Sequence, residues 1–225
     1  NIKHIFFDQT HHINRYKLYP KNIEEQDFSC VKNNPNSRCA DVTQFMINKF
    51  NEYTQTEDAY LILLDSDMFF TNYFNIDTVM QDYDIVGVPQ SRQNKVSYLW
   101  NGILIIKSNN MKLDELNMNC GFVNKIPTDV GGYSHYYIKK YNPKIKYINS
   151  PCYSYKDTVL DSKSLPNNIK KFFLDICDIR PSGSCNKEYF LKSIVHLRGG
   201  GNWDHQGEEF MNNQNKLIEQ HFNLH

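Results

Sequence analysis

Tyr60-Leu-Ile-Leu-Leu64-Asp65-Ser66-Asp67-Met68-Phe69-Phe70 opens as an unbroken apolar run and ends abruptly in two carboxylates one residue apart. Apolar residues without polar alternation describe a strand covered on both faces, as in the centre of an α/β sheet. Ligands of open α/β sheets gather at the carboxyl ends of strands, so the Asp65–Asp67 pair stands where a site is expected. Two carboxylates this close repel unless positive charge lies between them. A divalent cation bridging to a phosphate is the usual solution, and hard oxygen donors suit Mg2+ or Mn2+. A strand that merely runs into a polar turn is the plain alternative.

On either side of this stretch, strand-like and helix-like segments alternate, which predicts an α/β fold in a single domain over residues 1–205. Upstream, Ile2–Phe7 and Phe28–Lys32 read as strands. From Ser37, residues Val42, Phe45, Met46, Phe50 and Tyr53 fall on one face of a helix. Downstream, Asp84–Val88, Gly102–Ile106, Ile145–Ile148 and Ser193–His196 read as strands. Helices are expected over Thr128–Tyr141 and Asn168–Asp178. The tail, residues 206–225, carries Met211, Ile218 and Phe222 on one stripe and should pack as an amphipathic helix on the rest.

The chain has 225 residues, 40% of them hydrophobic, enough to build a core without staples. Its 25 Lys and Arg balance 25 Asp and Glu, which is not the basic excess of a nucleic-acid binder nor the composition of a disordered polyanion. The longest apolar run, Ala59–Leu64, is far short of the roughly 18–20 residues that cross a bilayer. No basic-then-apolar leader is readable, so a cytoplasmic setting is expected, although a chain opening on Asn1 leaves room for an upstream segment. Cys30, Cys39, Cys120, Cys152, Cys177 and Cys185 form no C-x-x-C pair, which argues against a structural zinc site and favours reduced thiols.

Three further motifs follow the carboxylate pair. Asp84-Ile-Val-Gly-Val-Pro-Gln90 leads to Trp100-Asn101-Gly102 and an apolar strand. Pro127-Thr-Asp129-Val-Gly-Gly132 opens the helix expected over Thr128–Tyr141, with Asp129 in its first turn. Near the end stands Ile194-Val-His196-Leu-Arg198-Gly199-Gly200-Gly201-Asn-Trp203. In this order, over residues 60–203, the chain resembles nucleotide-sugar-dependent glycosyltransferases of the GT-A fold. Those enzymes share a strand ending in D-x-D, a later asparagine-small turn opening another strand and, in several families, a closing histidine, glycine loop and tryptophan.

The resemblance implies a metal-dependent transfer of a sugar from a nucleoside diphosphate sugar, UDP favoured, to a hydroxyl of a glycan or glycoprotein. Asp67 and His196 would hold Mn2+ or Mg2+, with Asp65 on the metal, the ribose or both. Ser66, Asn101 and Gly102 would line the donor site, Arg198 and the amides of Gly199, Gly200 and Gly201 would cradle the diphosphate, and Trp203 would close over it. Asp129 would serve as general base in an inverting reaction, or position the sugar in a retaining one, and the histidine-glycine-tryptophan ending is closer to retaining families. Members usually carry a nucleotide-recognising strand and loop well before D-x-D. Here 64 residues precede Asp65, and the loop after the first strand reads Asp8-Gln-Thr-His-His12, either a compact variant or a chain lacking the first βα unit. Each residue also has a structural alternative: a core histidine at 196, a turn asparagine at 101, a helix-capping Asp129, a flexible glycine loop and a core tryptophan.

Two other classes compete. A haloacid dehalogenase-like phosphohydrolase also uses an apolar strand ending in D-x-D, but Thr or Val usually follows two residues after the second Asp, where this chain has Phe69. A non-catalytic sugar-binding or scaffold domain on the same fold would not need the intact set of metal ligands. Asp65-Ser-Asp67 lacks the glycine and terminal glutamate of a calcium loop.

Overall fold

The computed structural model describes residues 35–54, 59–109, 111–180, 186–198 and 207–222. The expected strands at 2–7 and 28–32 and the Asp8–His12 loop lie outside them. The first elements are α1 (Pro35–Tyr53), β1 (Tyr60–Leu64), β2 (Met68–Phe70) and α2 (Ile76–Met80). There follow β3 (Ile85–Arg92), β4 (Val96–Lys107), β5 (Gly121–Val123), β6 (Ile126–Thr128), α3 (Ser134–Tyr141) and β7 (Ile145–Tyr147). The remaining elements are α4 (Lys156–Leu160), α5 (Asn167–Ile179), β8 (Lys187–Phe190), β9 (Ile194–Leu197) and α6 (Glu208–Phe222). The architecture is mixed α/β, with a mixed sheet flanked by helices. Two compact units are distinguished, one holding the chain up to Leu63 with Met80–Tyr147, the other Leu64–Val79 with the chain from Ile148.

In the first unit the sheet order is β1-β4-β3-β7, with β3 antiparallel to β4 and parallel to β7. The apolar runs of the sequence supply its centre: Ile85, Val86, Leu99 and Ile103 to Ile106 are all buried. Burial on both faces removes any need for polar alternation, which is why Gly102-Ile-Leu-Ile-Ile106 reads as continuous. Pro89 falls where the β3–β4 register shifts, a position that tolerates a missing N–H. Ile47 and Phe50 of α1 and Tyr137 of α3 complete this core. Gln44 ties α1 to the chain after β4, donating to the Leu116 carbonyl at 3.0 Å and accepting from the Met118 N–H at 2.9 Å.

One helix boundary differs from expectation. The helix expected from Thr128 begins at Ser134, because Thr128 closes β6 and Gly131 adopts φ +92°. A Cβ on Gly131 would stand 1.9 Å from the Leu99 carbonyl oxygen, so this tight turn demands glycine. A residue with φ of that sign cannot sit inside a right-handed helix.

In the second unit β2, β9 and β8 form an antiparallel sheet in that order. Phe172, Phe173 and Ile176 of α5 pack with Val195 and Leu197 of β9. Leu217, Ile218 and Phe222 of α6 add to the same cluster, with Phe222 edge-on to Phe172 at 4.9 Å between ring centres. Residues 208–222 of the tail are thus helical, with Leu217, Ile218 and Phe222 half-buried on the cluster that α5 contributes to.

Cys177 departs from the expectation of reduced thiols. It is disulfide-bonded, to a partner outside the described residues, whereas Cys39, Cys120 and Cys152 are free. Spacing along the chain does not reveal which sulfurs come within bonding distance, and bonding distance decides.

Lys187, on β8, is 1% exposed and donates to Cys177 Sγ at 3.3 Å. Burial, with Arg180 nearby, pushes its ammonium group down to about 7. The fold thus prefers the neutral amine. Between about pH 7 and the ordinary lysine range the unfolded chain binds more protons, so this residue's cost to stability shrinks as pH rises. Replacing it by a packing isostere, Lys187→Met, should stabilise the protein at pH 6 by roughly 2–4 kcal/mol. The gain should largely vanish by about pH 10. Thermal melts at the two pH values check this, and an equal gain at both would remove the buried charge as its cause.

Candidate metal centre

The chain leaves β1 at Leu64 and turns at once, the Met68 N–H donating to the Asp65 carbonyl at 3.0 Å. β2 then runs antiparallel to β9 with Met68 opposite His196, and the Leu197 N–H donates to the Asp67 carbonyl at 3.0 Å. This ladder sets the Asp65–Asp67 turn beside His196. All four residues of β9 are buried, which fixes the strand that presents the histidine.

One carboxylate oxygen each from Asp65 and Asp67 and one ring nitrogen of His196 lie within 4.8 Å of one another. Donors around a single six-coordinate ion with bonds near 2.2 Å stand roughly 3–4.4 Å apart, so small side-chain rotations would close this set on one cation. Two carboxylate oxygens with one imidazole suit Mn2+ or Mg2+. Among the described residues this is the group of His, Cys, Asp and Glu side chains so arranged.

His196 is 3% exposed, and both its ring nitrogens face carboxylates: Nε2 is 3.2 Å from Asp67 Oδ1 and Nδ1 is 2.7 Å from Glu188 Oε2. Burial disfavours charge on the ring, but the hydrogen bonds to Asp67 and Glu188 outweigh it and push the imidazole up to about 9. Burial also pushes the Asp65 carboxyl up to about 6, helped by the neighbouring Asp67 charge and opposed by His196. In the metal-free protein near neutral pH, the proton on His196 therefore supplies part of the positive charge that the two aspartates need. Three carboxylates, those of Asp65, Asp67 and Glu188, meet at this point against His196 and the exposed Arg198, whose Nη1 is 3.9 Å from Glu188 Oε1. A cation is the electrostatic complement of such a group.

Ser66 is exposed at the tip of the turn. Gly199, Gly200, Gly201 and Trp203 lie outside the described residues. Asn101 and Asp129 belong to the first unit. The Asn101 amide donates to Cys39 Sγ at 3.1 Å and Thr43 Oγ1 at 3.4 Å, anchoring β4 to α1. Gly102 accommodates the Trp100 ring, which a Cβ would meet at 2.1 Å. Asp129 precedes α3 by several residues instead of sitting in its first turn, and pairs with Arg92 Nη2 at 2.8 Å.

Glu188 was not expected at the site. Its signal is faint but physical: a carboxylate eight residues before the histidine, across a tight hairpin, falls directly opposite it in an antiparallel pair. Comparison with protein-family models, with curated proteins and with solved structures finds no significant match.

Proposed function

We propose that the protein is a metal-dependent glycosyltransferase of GT-A type, moving a sugar from a nucleoside diphosphate sugar, UDP favoured, to a hydroxyl of a glycan or glycoprotein. The observation that carries this reading is the convergence of Asp65, Asp67 and His196 just past the end of β1. The order of the flanking motifs, from Asn101-Gly102 through Asp129 to His196-Leu-Arg198, supports it. The expected acceptor is not a nucleic acid, given the balanced charge. Among the described residues no helix is long and apolar enough to cross a membrane. The disulfide at Cys177 favours an oxidising compartment over the cytoplasm that the sequence leads one to expect.

In this reading Asp67 and His196 hold Mn2+ or Mg2+, and Asp65 shares the metal or meets the ribose. The bound ion supplies Lewis-acid neutralisation of the charge that grows on the leaving diphosphate. Arg198, exposed beside Glu188, adds a guanidinium suited to a phosphate oxygen; the roles of Gly199, Gly200 and Trp203, outside the described residues, rest on the resemblance alone. Asp129, which pairs with Arg92 within the first unit, carries the role of base in an inverting reaction, or of sugar-positioning group in a retaining one, only as the resemblance implies it. Retention is favoured.

A second reading draws on one specific observation. His196 already bridges Asp67 and Glu188, as it would in a purely structural ion-pair network on a non-catalytic domain. The two readings separate on nucleotide binding. UDP with Mn2+ should raise the melting temperature by mass action, about 2.7 kcal/mol of stabilisation at a hundredfold excess over Kd, and UDP with a chelator should leave it unchanged. A panel of nucleotide sugars incubated with Mn2+ should then release free nucleoside diphosphate from one member. Equal melting shifts with and without metal, or no release from any donor, would leave the structural network as the account of this site.

A further inference from the structure

We propose that Glu188 is the positioning residue of the metal centre: it holds the proton of His196 on Nδ1 and so offers Nε2, on the side of Asp67, to the cation. The inference rests on the metal-binding part of the reading above and adds the residue that sets which nitrogen binds. The Nδ1···Glu188 Oε2 distance of 2.7 Å is shorter than the 3.2 Å from Nε2 to Asp67 Oδ1. A neutral imidazole carries one N–H, and a carboxylate, which only accepts, holds that N–H on the nitrogen it faces. The other nitrogen is then left with a lone pair, and here it is the one that faces the aspartates.

The backbone gives Glu188 little freedom to be elsewhere. It stands directly opposite His196 in the β8–β9 ladder, so the two side chains share one face of the sheet. The turn between the strands passes through Leu191 and Lys192 with φ 53° and 58°. Two successive residues in the left-handed region make a tight hairpin whose twist matches its strands and fixes their register. Sliding by one residue would turn Glu188 to the opposite face, where Lys187 is buried beside Cys177. The second carboxylate oxygen, Oε1, lies 3.9 Å from Arg198 Nη1, which further limits its rotation. Histidines that bind metals usually donate their free N–H to such a carboxylate, which orients the ring and makes it a better donor.

The test uses the full chain stripped of metal, with Mn2+ binding read from the electron paramagnetic resonance of the free ion. Glu188→Ala should weaken Mn2+ by about 10–100-fold, the usual cost of losing such a partner. Glu188→Gln, whose amide oxygen still accepts from Nδ1–H, should recover most of that loss, which a packing role would not explain. In the unaltered protein with Mg2+, nitrogen-15 spectra of the imidazole should read Nδ1 as the protonated nitrogen, a measurement that needs no variant to fold. Parent-like Mn2+ affinity in Glu188→Ala, a Gln variant as weak as the Ala one, or a ring protonated on Nε2 would each overturn the assignment. If the parent binds Mn2+ and Asp67→Ala does not, such a result removes Glu188 alone. If the parent binds no Mn2+, the metal reading falls and this inference with it.

Discussion

Asp67→Ala should lose metal-dependent transfer by at least about a thousandfold while the protein stays folded. Removing an electrostatic stabiliser of the transition state commonly costs about 10²–10³ in rate, and here a metal ligand goes as well. Stability should move little, because two effects oppose each other. The substitution removes an ion-pair partner of His196, but it also removes the charge that, after burial, pushes the Asp65 carboxyl up to about 6. His196 keeps Glu188 at 2.7 Å, so its proton retains a half-buried carboxylate partner. Release of nucleoside diphosphate, measured beside a thermal melt, separates the outcomes. Most of the activity surviving in a folded variant would make the carboxylates at the end of β1 structural and end the transferase and phosphohydrolase readings together.

The second large effect is in pH. Mn2+ affinity should climb by up to about tenfold per pH unit between about pH 6 and 9, because the cation must displace the His196 proton, which leaves at about 9. Below about pH 6 the dependence should steepen as Asp65 also takes up a proton. The metal-free protein should show the opposite trend. The folded-state value for His196 lies above the unfolded histidine value of about 6.5, so its contribution is fully present below that pH and is lost as pH rises through about 9. Its size is at most about 3 kcal/mol. His196→Ala should weaken Mn2+ at least about tenfold and flatten both trends above pH 6.5. Mn2+ titrations from pH 6 to 9, with melts in chelator over the same range, measure them. A pH-independent affinity would show that His196 is not a ligand.

Much of this was legible in the chain because the strongest signals were periodic. Gly102–Ile106 is apolar enough to announce a central strand, and α1, α5 and α6 carry stripes that recur at helical spacing. Tyr60–Leu64 is a strand as expected but not a central one: it ends the order β1-β4-β3-β7 of the described strands, with Ile62 36% exposed, because an apolar run does not say how many neighbours will cover it. Asp65, Asp67 and His196 could be named because a carboxylate pair at a strand end has few physical explanations. What stayed hidden depends on pairing. Met68–Phe70 is three residues long and becomes a strand only through β9, and Lys187–Phe190 becomes one only through the hairpin that also brings Glu188 to the histidine. Gly131 delays the start of the expected helix to Ser134 because of a carbonyl from β4, a neighbour 32 residues back in sequence. The disulfide of Cys177 and the burial of Lys187 are likewise facts about space, with no period to betray them.

The ladder between β2 and β9 joins Met68 to His196, positions 128 residues apart, and the segment Met80–Tyr147 between them belongs to the other unit. Closing so long a loop carries an entropy cost that nearby contacts do not face, and contacts of this separation slow folding. On a ribosome β2 emerges well before its partner strand exists, so it must wait unpaired, with Phe69 and Phe70 on an open edge, until residue 197 has been made. A cation held by Asp67 and His196 would clasp the two ends of that loop as a cross-link does, and would slow the parting of the strands. The ion that readies the site for a nucleotide would thus also serve as the latch on a pairing that forms late in the life of the nascent chain.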